Sequence, residues 1–502
     1  QPVVYKMLAN LAAQQTPPKD INALNMEEIS AFMKEQFDPK SRLEWRDLEA
    51  VQTKRKTIQV RNFQNDSSET LELKDRVTKM QLGFGYLVVA MTSQCCIYSA
   101  KNWNTPTLVD LKEGSVSLIV MAAKLFLLVD GSSVNTMSYE GRQLASLKLP
   151  GLRTETLTDR TIGISGDTVA LRDKTDEKLI HLLDPNAGKP AGDGKITHTQ
   201  EITELAIDRC GPAQERRVAF VDKNADLFLC AVKTYGSGMR VMKIGSMIQN
   251  IRFNDATNML AGLQDGGSLL VWTFPSVAYV DKDLLSRTLI TKDMSDSGKT
   301  FTLLNFVGSH VTCKRGDGSL VTTGIAPFAT ALHDYIDKNK WDQALRLCRH
   351  VKDEKLWATL AAMAAHTKNL NAAEVGYSAL EEVEKVHNLN AIRQMSNKDV
   401  RNASLALFCG NVKDAESILL QSGHVARAIV LNVTLFRWTR ALELATKHKQ
   451  HVETVLAYRQ KYLEDFDQKE TDPKFKKILT EVDLDDFENI EEKLAAELEK
   501  DK

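Results

Sequence analysis

The residues that could do chemistry are few and poorly grouped. A phosphate-binding loop wraps phosphates in backbone N–H groups and needs a glycine five positions before the glycine of Gly298-Lys299-Thr300. That position is Asp293, so nucleotide binding is not expected. His448 and His451 stand three apart on an expected helix, a spacing that can bring two imidazoles to one face. No third ligand and no H-E-x-x-H accompanies them, so a solvated basic face is the better reading. Cys95 and Cys96 are adjacent in an expected strand, where successive side chains point to opposite faces, and they read as small core or edge residues rather than a redox pair. Asp130, Asp173, Asp222, Asp265 and Asp317 recur in turns, where a carboxylate can accept local backbone N–H groups; that role is preferred to metal ligation. Lys54-Arg55-Lys56 is a basic run in an expected strand, exposed at a sheet edge, with phosphate or acidic-partner binding as the lesser alternative. Trp272 in LLVWTF reads as core packing rather than a binding anchor. No G-x-S-x-G elbow occurs, and no Asp or Glu pair stands out as acid and base. The expected catalytic, cofactor-binding and metal-ligating sets are therefore empty, and the chain is not expected to be an enzyme.

The elements that carry these residues follow from pattern. The 502 residues hold 65 Lys and Arg against 66 Asp and Glu, which leaves no overall basic excess to drive binding to nucleic acid or a membrane surface. Seven scattered cysteines, none in C-x-x-C spacing, suit a reducing compartment. No run approaches the ~18 apolar residues of a membrane span, and the opening QPVVYKMLANLAAQQ has no leading basic region, so neither anchor nor signal peptide is expected. A first residue of Gln rather than Met fits a fragment or a processed product.

From Tyr86 one unit recurs: an apolar strand, a turn of Asp, Gly, Asn or Ser, and a second apolar strand. The instances begin at Tyr86, Leu125, Thr168, Arg217, Asn258 and His310, about 39 to 52 residues apart. Runs such as Val116–Val120 and Ile248–Phe253 lie between them, giving about four strands per period. A small sheet of this kind cannot bury both faces alone, so neighbours must stack radially, and a WD40-like β-propeller is the expected closure. An earlier hairpin from Leu43 makes six or seven blades, with an incomplete ring left open.

At Ala326-Pro327 turn residues thin out and helical spacing takes over. An apolar residue, two variable positions and Ala recur in Trp341…Ala344, Leu370…Ala373, Val412…Ala415, Val425…Ala428 and Trp438…Ala441. Small Ala lets helices approach while Trp and Leu fill the gaps, which predicts an α-solenoid of helical hairpins, similar in style to tetratricopeptide arrays. Trp341 and Trp438 are expected in its core, each costing about 3–5 kcal/mol if truncated to Ala. The expected domains are 1–42 with one amphipathic helix capped by Asn25 and stopped at Asp38-Pro39, a propeller over 43–325, a solenoid over 326–475, and an acidic tail over 476–502 that is solvated or, less readily, docks as a helix.

Residues about 43–475 resemble the eighty-kilodalton subunit family of the intraflagellar transport B complex, through segments including YSAKNWNTPTLVDLKEGSVSLI, VAFVDKNADL, GLQDGGSLLVW, KWDQALRLCRHVKDEKLWATLAAMA and RALELATKHKQHVETVLAYRQKYLEDF. The resemblance implies a non-enzymatic scaffold for cilium assembly and axonemal cargo transport. Its implied partners are other complex B subunits, with self-association left open and neither nucleic acid nor membrane insertion involved. Its implied place is the cilium and ciliary base, on the cytoplasmic side. Members carry two propellers, so this ring should correspond to the second. Residues 1–42 fall outside the resemblance and are similar to the opening of retrotransposon gag-type polyproteins. A vesicle-coat or nuclear-pore-like propeller-solenoid protein is the alternative, since it shares the architecture and differs in partners.

Overall fold

The computed structural model describes residues 42–149, 152–233, 241–294, 301–479 and 487–500. The helix expected after Asn25 and the Gly298-Lys299-Thr300 loop lie outside them. Among the described residues the chain divides into two compact units: one holds residues up to Val271 together with Thr291–Thr330, the other Trp272–Ile290 and everything from Ala331 onward.

The first unit is a succession of seven antiparallel sheets, each built from strands consecutive in sequence. Six have four strands, and the seventh, over 301–324, has three among the described residues. The strand Leu125–Asp130 shows why the sheets must stack. It is buried at all six positions. Its alternate side chains Phe126 and Leu128 pack with Val88, Ala90, Cys95 and Ile97 of the second sheet, while Leu125, Leu127 and Val129 pack with Ile162, Ile164, Val169 and Leu171 of the fourth. Period-two alternation thus feeds two neighbours at once, and the apolar surface each sheet would expose is removed from water on both faces.

The ring closes. Its central channel is lined by residues from all seven sheets, among them Trp45, Leu82, Ile119, Ile162, Leu205, Phe253 and Phe306. At the joint, Asn305 Nδ2 of the last sheet donates to Glu44 O of the first at 3.4 Å, and Arg46, in a turn of the first sheet, donates to Asp255 Oδ2, in a turn of the sixth, at 3.1 and 3.0 Å. Among the described residues these contacts make the joint, and the sheets number seven.

The second unit contains helices α1 (Pro327–Asp337), α2 (Trp341–Val351), α3 (Glu354–His366), α4 (Leu370–Ala379), α5 (Val383–Gln394), α6 (Lys398–Phe408), α7 (Val412–Gln421), α8 (Val425–Thr434), α9 (Trp438–His448), α10 (Val452–Asp465), α11 (Pro473–Leu479) and α12 (Phe487–Lys500), α1 entering it at Ala331. Each apolar-x-x-Ala motif opens a helix, and Ala344, Ala373, Ala415, Ala428 and Ala441 are all at most 1% exposed. Close approach is tightest at Gly376, where an added Cβ would lie 2.9 Å from that of Ala361. Trp341 and Trp438, expected in the core, are instead half-buried, because a first-turn residue is covered only as far as the neighbouring helix reaches.

Residues 272–290 fall inside the span read as propeller, yet they pack into the helical unit. Thr273 and Thr359 hydroxyls meet at 2.6 Å, and His333 bonds the Thr273 carbonyl at 2.7 Å. Asp281 accepts from Tyr377 OH at 3.1 Å and Lys385 Nζ at 2.7 Å. The acidic end is likewise no free tail over 487–500: Ile490 and Leu494 are buried, and Arg427 donates to the Leu498 carbonyl at 2.7 Å.

Candidate functional site

The residues singled out by type and spacing are scattered by the fold, and most do structural work. Asp222 accepts from the N–H groups of Asn224 and Asp226, Asp173 from that of Thr175, and Asp317 from that of Ser319. Asp130 reaches farther, holding the 112–115 loop by three backbone N–H groups at 2.9–3.0 Å, and Asp265 accepts from Gln249. Burial works to raise the Asp173 carboxyl, but hydrogen bonds from His181 and Thr175 prevail and hold it at about 2. Cys95 packs toward the third sheet and Cys96 toward the first, on opposite faces. Burial pushes the Cys95 thiol up to about 12, with Cys96 adding to the shift, so it is inert as a nucleophile near neutral pH. Lys54 ends a strand and Arg55-Lys56 form the following hairpin turn, a correction to the expected strand placement. His448 and His451 do not share a helix, also against expectation: α9 ends at His448, and His451 sits at φ 56° before α10, bonded to Glu497 at 2.9 Å. Trp272 is 1% exposed. Among the described residues no group of three or more His, Cys, Asp or Glu side chains could hold a metal ion, and no helix is long and apolar enough to cross a membrane.

The channel of the propeller, a cavity of about 490 Å³, carries charge that is largely neutralised within the ring. Arg252 of the sixth sheet bonds Glu204 of the fifth at 2.7 Å and Asp159 at 2.7 Å, and Glu204 also accepts from Asn250 at 3.0 Å. These bonds staple adjacent sheets. Arg209 lies 5.6 Å from the Phe84 ring centre, and burial, then the charge of Arg252, lowers its affinity for its proton. No nucleophile and base are bonded to one another among the lining residues.

The helical unit presents a different surface. At its α8–α10 end the rings of Phe436, Trp438, Tyr462 and Phe466 form a continuous run: Phe436 to Trp438 6.0 Å, Phe436 to Tyr462 5.2 Å, Trp438 to Tyr462 5.4 Å and Tyr462 to Phe466 4.9 Å between ring centres. Phe436 is 62% exposed and Phe466 61%. The Arg459 guanidinium stacks 5.4 Å from Trp438 and 5.9 Å from Tyr462 and is fixed by Glu470 at 3.0 Å. Beneath lies a cavity of about 630 Å³ with Phe475 in its wall. Its floor is held by Glu416, which bonds Arg440 at 2.6 Å and Asn432 at 2.9 Å and so ties α7, α8 and α9 together. Burial works against the Glu416 charge, but the bonds from Arg440 and Asn432 keep its carboxyl below the usual range. Exposed Phe beside half-buried Trp, Tyr and Arg over a pocket is the composition of a protein-binding hot spot. Sequence reading named Trp438 as core and passed over the rest, since spacing alone does not tell a covered aromatic from an uncovered one.

Comparison with known proteins agrees with this architecture. Residues 40–328 match the family described as the IFT80 second beta-propeller, and residues 356–502 the IFT80/172/WDR35/WDR19 TPR domain. The chain is 45% identical over 462 residues to the intraflagellar transport protein 80 homolog of Rattus norvegicus and 44% to that of Mus musculus, in each case over 92% of this chain and 59% of the relative. More distantly, it is 23% identical over 357 residues to the intraflagellar transport protein 172 homolog of Mus musculus, over 66% of this chain and 18% of that protein. The chain thus spans less than two thirds of the length of these relatives, and its ring corresponds to the second propeller. Both matches point to intraflagellar transport, and the vesicle-coat or nuclear-pore alternative is not favoured. The chain belongs to the intraflagellar transport protein 80 family.

Proposed function

We propose that the chain is a non-enzymatic scaffold subunit of the intraflagellar transport B complex, binding other subunits of that complex during cilium assembly and axonemal cargo transport. The observation that carries this reading is the match of both units, in order, to intraflagellar transport families. The chemistry is compatible. The turn carboxylates and the larger channel charges are spent on loops and neighbouring sheets, while the helical unit carries a run of aromatic rings with two exposed Phe beside cations unpaired among the described residues. Such a protein works by holding partners, at the cilium and its base on the cytoplasmic side.

The test is affinity purification of the endogenous, C-terminally tagged protein from ciliated cells, with mass spectrometry of the partners. Recovery of complex B subunits, with the tag at the ciliary base and along the axoneme, is the expected result. Recovery of coat or pore proteins without ciliary subunits would overturn the reading.

A further inference from the structure

Most of the short connections between successive helices share one geometry, and one of those carries a residue that does not suit it. Eight are three residues long, and all but 395–397 and 449–451 are built alike: 338–340, 367–369, 380–382, 409–411, 422–424 and 435–437. In each, the middle residue is left-handed and the third residue's N–H reaches back to a carbonyl five residues earlier, as in Lys340 to Tyr335 at 2.8 Å and Arg437 to Asn432 at 2.8 Å. This is a Schellman cap, which satisfies the last carbonyls of a helix and favours glycine at the left-handed position. The middle residues are Asn339, Lys368, Glu381, Gly410, Gly423 and Phe436, every one exposed to water. Gly and Asn suit both the left-handed backbone and the exposure, and Lys and Glu suit the exposure. Phe436 suits neither: at φ 55° it bears the strain of a bulky side chain in the left-handed region, and it holds an aromatic ring 62% exposed. Nothing in the turn calls for a phenyl ring, so the ring answers to something beyond the turn: it packs on Trp438 and Tyr462 and still leaves most of its surface open.

What it answers to can be read from its surroundings. Phe436 begins the aromatic run that continues through Trp438 and Tyr462 to Phe466. The adjoining cavity has four cations in its lining, of which Arg440 bonds Glu416 and Arg459 bonds Glu470, leaving Lys413 and Arg437, beside the carboxylates Glu416 and Asp472. Both carboxylates are committed, Glu416 to Arg440 and Asn432, and Asp472 to the Lys474 N–H that opens α11. Lys413 and Arg437 make no salt bridge among the described residues. The chain's own acidic helix α12 is occupied elsewhere, against α10 and α8, through Tyr458, His451 and Arg427. The site thus offers an aromatic shelf beside uncompensated positive charge.

We propose that this face of the helical unit, centred on Phe436 and Arg437, is the docking site for an acidic segment of a partner protein that carries at least one large apolar side chain. The apolar anchor lies on Phe436, Trp438 and Tyr462, and the carboxylates meet Lys413 and Arg437. The inference deepens the scaffold reading and rests on it only for the assembly in which the partner is found. Because the charges are exposed, binding weakens as ionic strength rises.

The experiment pans a random 16-residue peptide display library against the purified full chain, with the Phe436→Ser chain as counter-selection. Enriched peptides are then titrated by fluorescence anisotropy against the wild type, Phe436→Gly and Arg437→Glu chains. The expected result is enrichment of peptides with several Asp or Glu around a Leu, Phe or Trp. Their affinity should fall at least tenfold in Phe436→Gly and Arg437→Glu, and severalfold between 50 and 300 mM salt. The melting temperature of Phe436→Gly should be equal or higher, since glycine suits the turn, and this separates lost binding from lost folding. Failure to enrich, enrichment of basic or uncharged peptides, or affinity indifferent to both substitutions would overturn the proposal. So would a concentration-dependent dimer abolished by Phe436→Gly, which would assign the face to a second copy of the chain. If peptide binding behaves as expected while purification from cells returns no complex B subunits, the docking site stands and the scaffold assignment fails.

Discussion

The two units solve the same problem, ending one element and starting the next, with different margins. In the propeller the inner strands are clamped on both faces, so a turn must fit its neighbours as well as its own backbone: Asp130 holds a loop seventeen residues upstream while Gly131 beside it adopts φ 56°, where a Cβ would strike Glu113. In the helical unit six connections are closed by their own backbone caps and point their middle residue to water. Propeller turns are therefore tied to the fold, whereas helical connections leave their middle side chain free for other uses. A scaffold gains from that division, because a binding surface can change without unfolding its support.

Breaking the propeller side should have the largest effect. Phe126 is 1% exposed and packed between sheets, so Phe126→Ala should cost about 3–5 kcal/mol, read as loss of hydrogen-exchange protection across residues 88–139. Next comes a gain. Asp208 is 1% exposed, and burial, outweighing the Cys210 N–H and the charge of Arg216, pushes its carboxyl up to about 6. The folded chain then holds this proton more tightly than the unfolded chain does. Its contribution is full below about pH 4 and is lost as pH rises through about 6. Asp208→Asn should thus stabilise the chain by about 2–3 kcal/mol at pH 7.5 and little at pH 4, measured by thermal unfolding at both values.

On the helical side, Gly376→Val should cost about 1–3 kcal/mol by forcing α4 away from Ala361, visible as a lowered melting temperature of that unit. The smallest effect sharpens the comparison most. Phe436→Gly should raise stability by about 0.5–1 kcal/mol, whereas Gly131→Phe in the propeller should lower it severely.

Much of this was legible in the residues. The hairpin repeats gave the blades, and the early hairpin from Leu43 decided between six and seven by forming the first sheet. The apolar-x-x-Ala motif marked helix starts to the residue, because a fully buried Ala is a local requirement of close helix packing. Residues 272–290 were not legible. Pro275–Tyr279 is a short turn of 3₁₀ helix without period, and the flanking Thr273 and Asp281 find their partners Thr359 and Tyr377 about 80 to 100 residues away. The aromatic surface was missed for a related reason. Trp438 has the same sequence context as Trp341, and only the three-dimensional placement of Phe436, Tyr462 and Phe466 beside it marks the surface.

The most direct test of the central claim, that the helical unit separates its fold from its binding surface, is to purify tagged wild type and Phe436→Gly chains from ciliated cells. Each sample's melting temperature is measured alongside its recovery of complex B subunits. The account predicts an equal or higher melting temperature with at least one subunit recovered severalfold less. Unchanged recovery of every subunit, or a melting temperature that falls together with recovery, would contradict it.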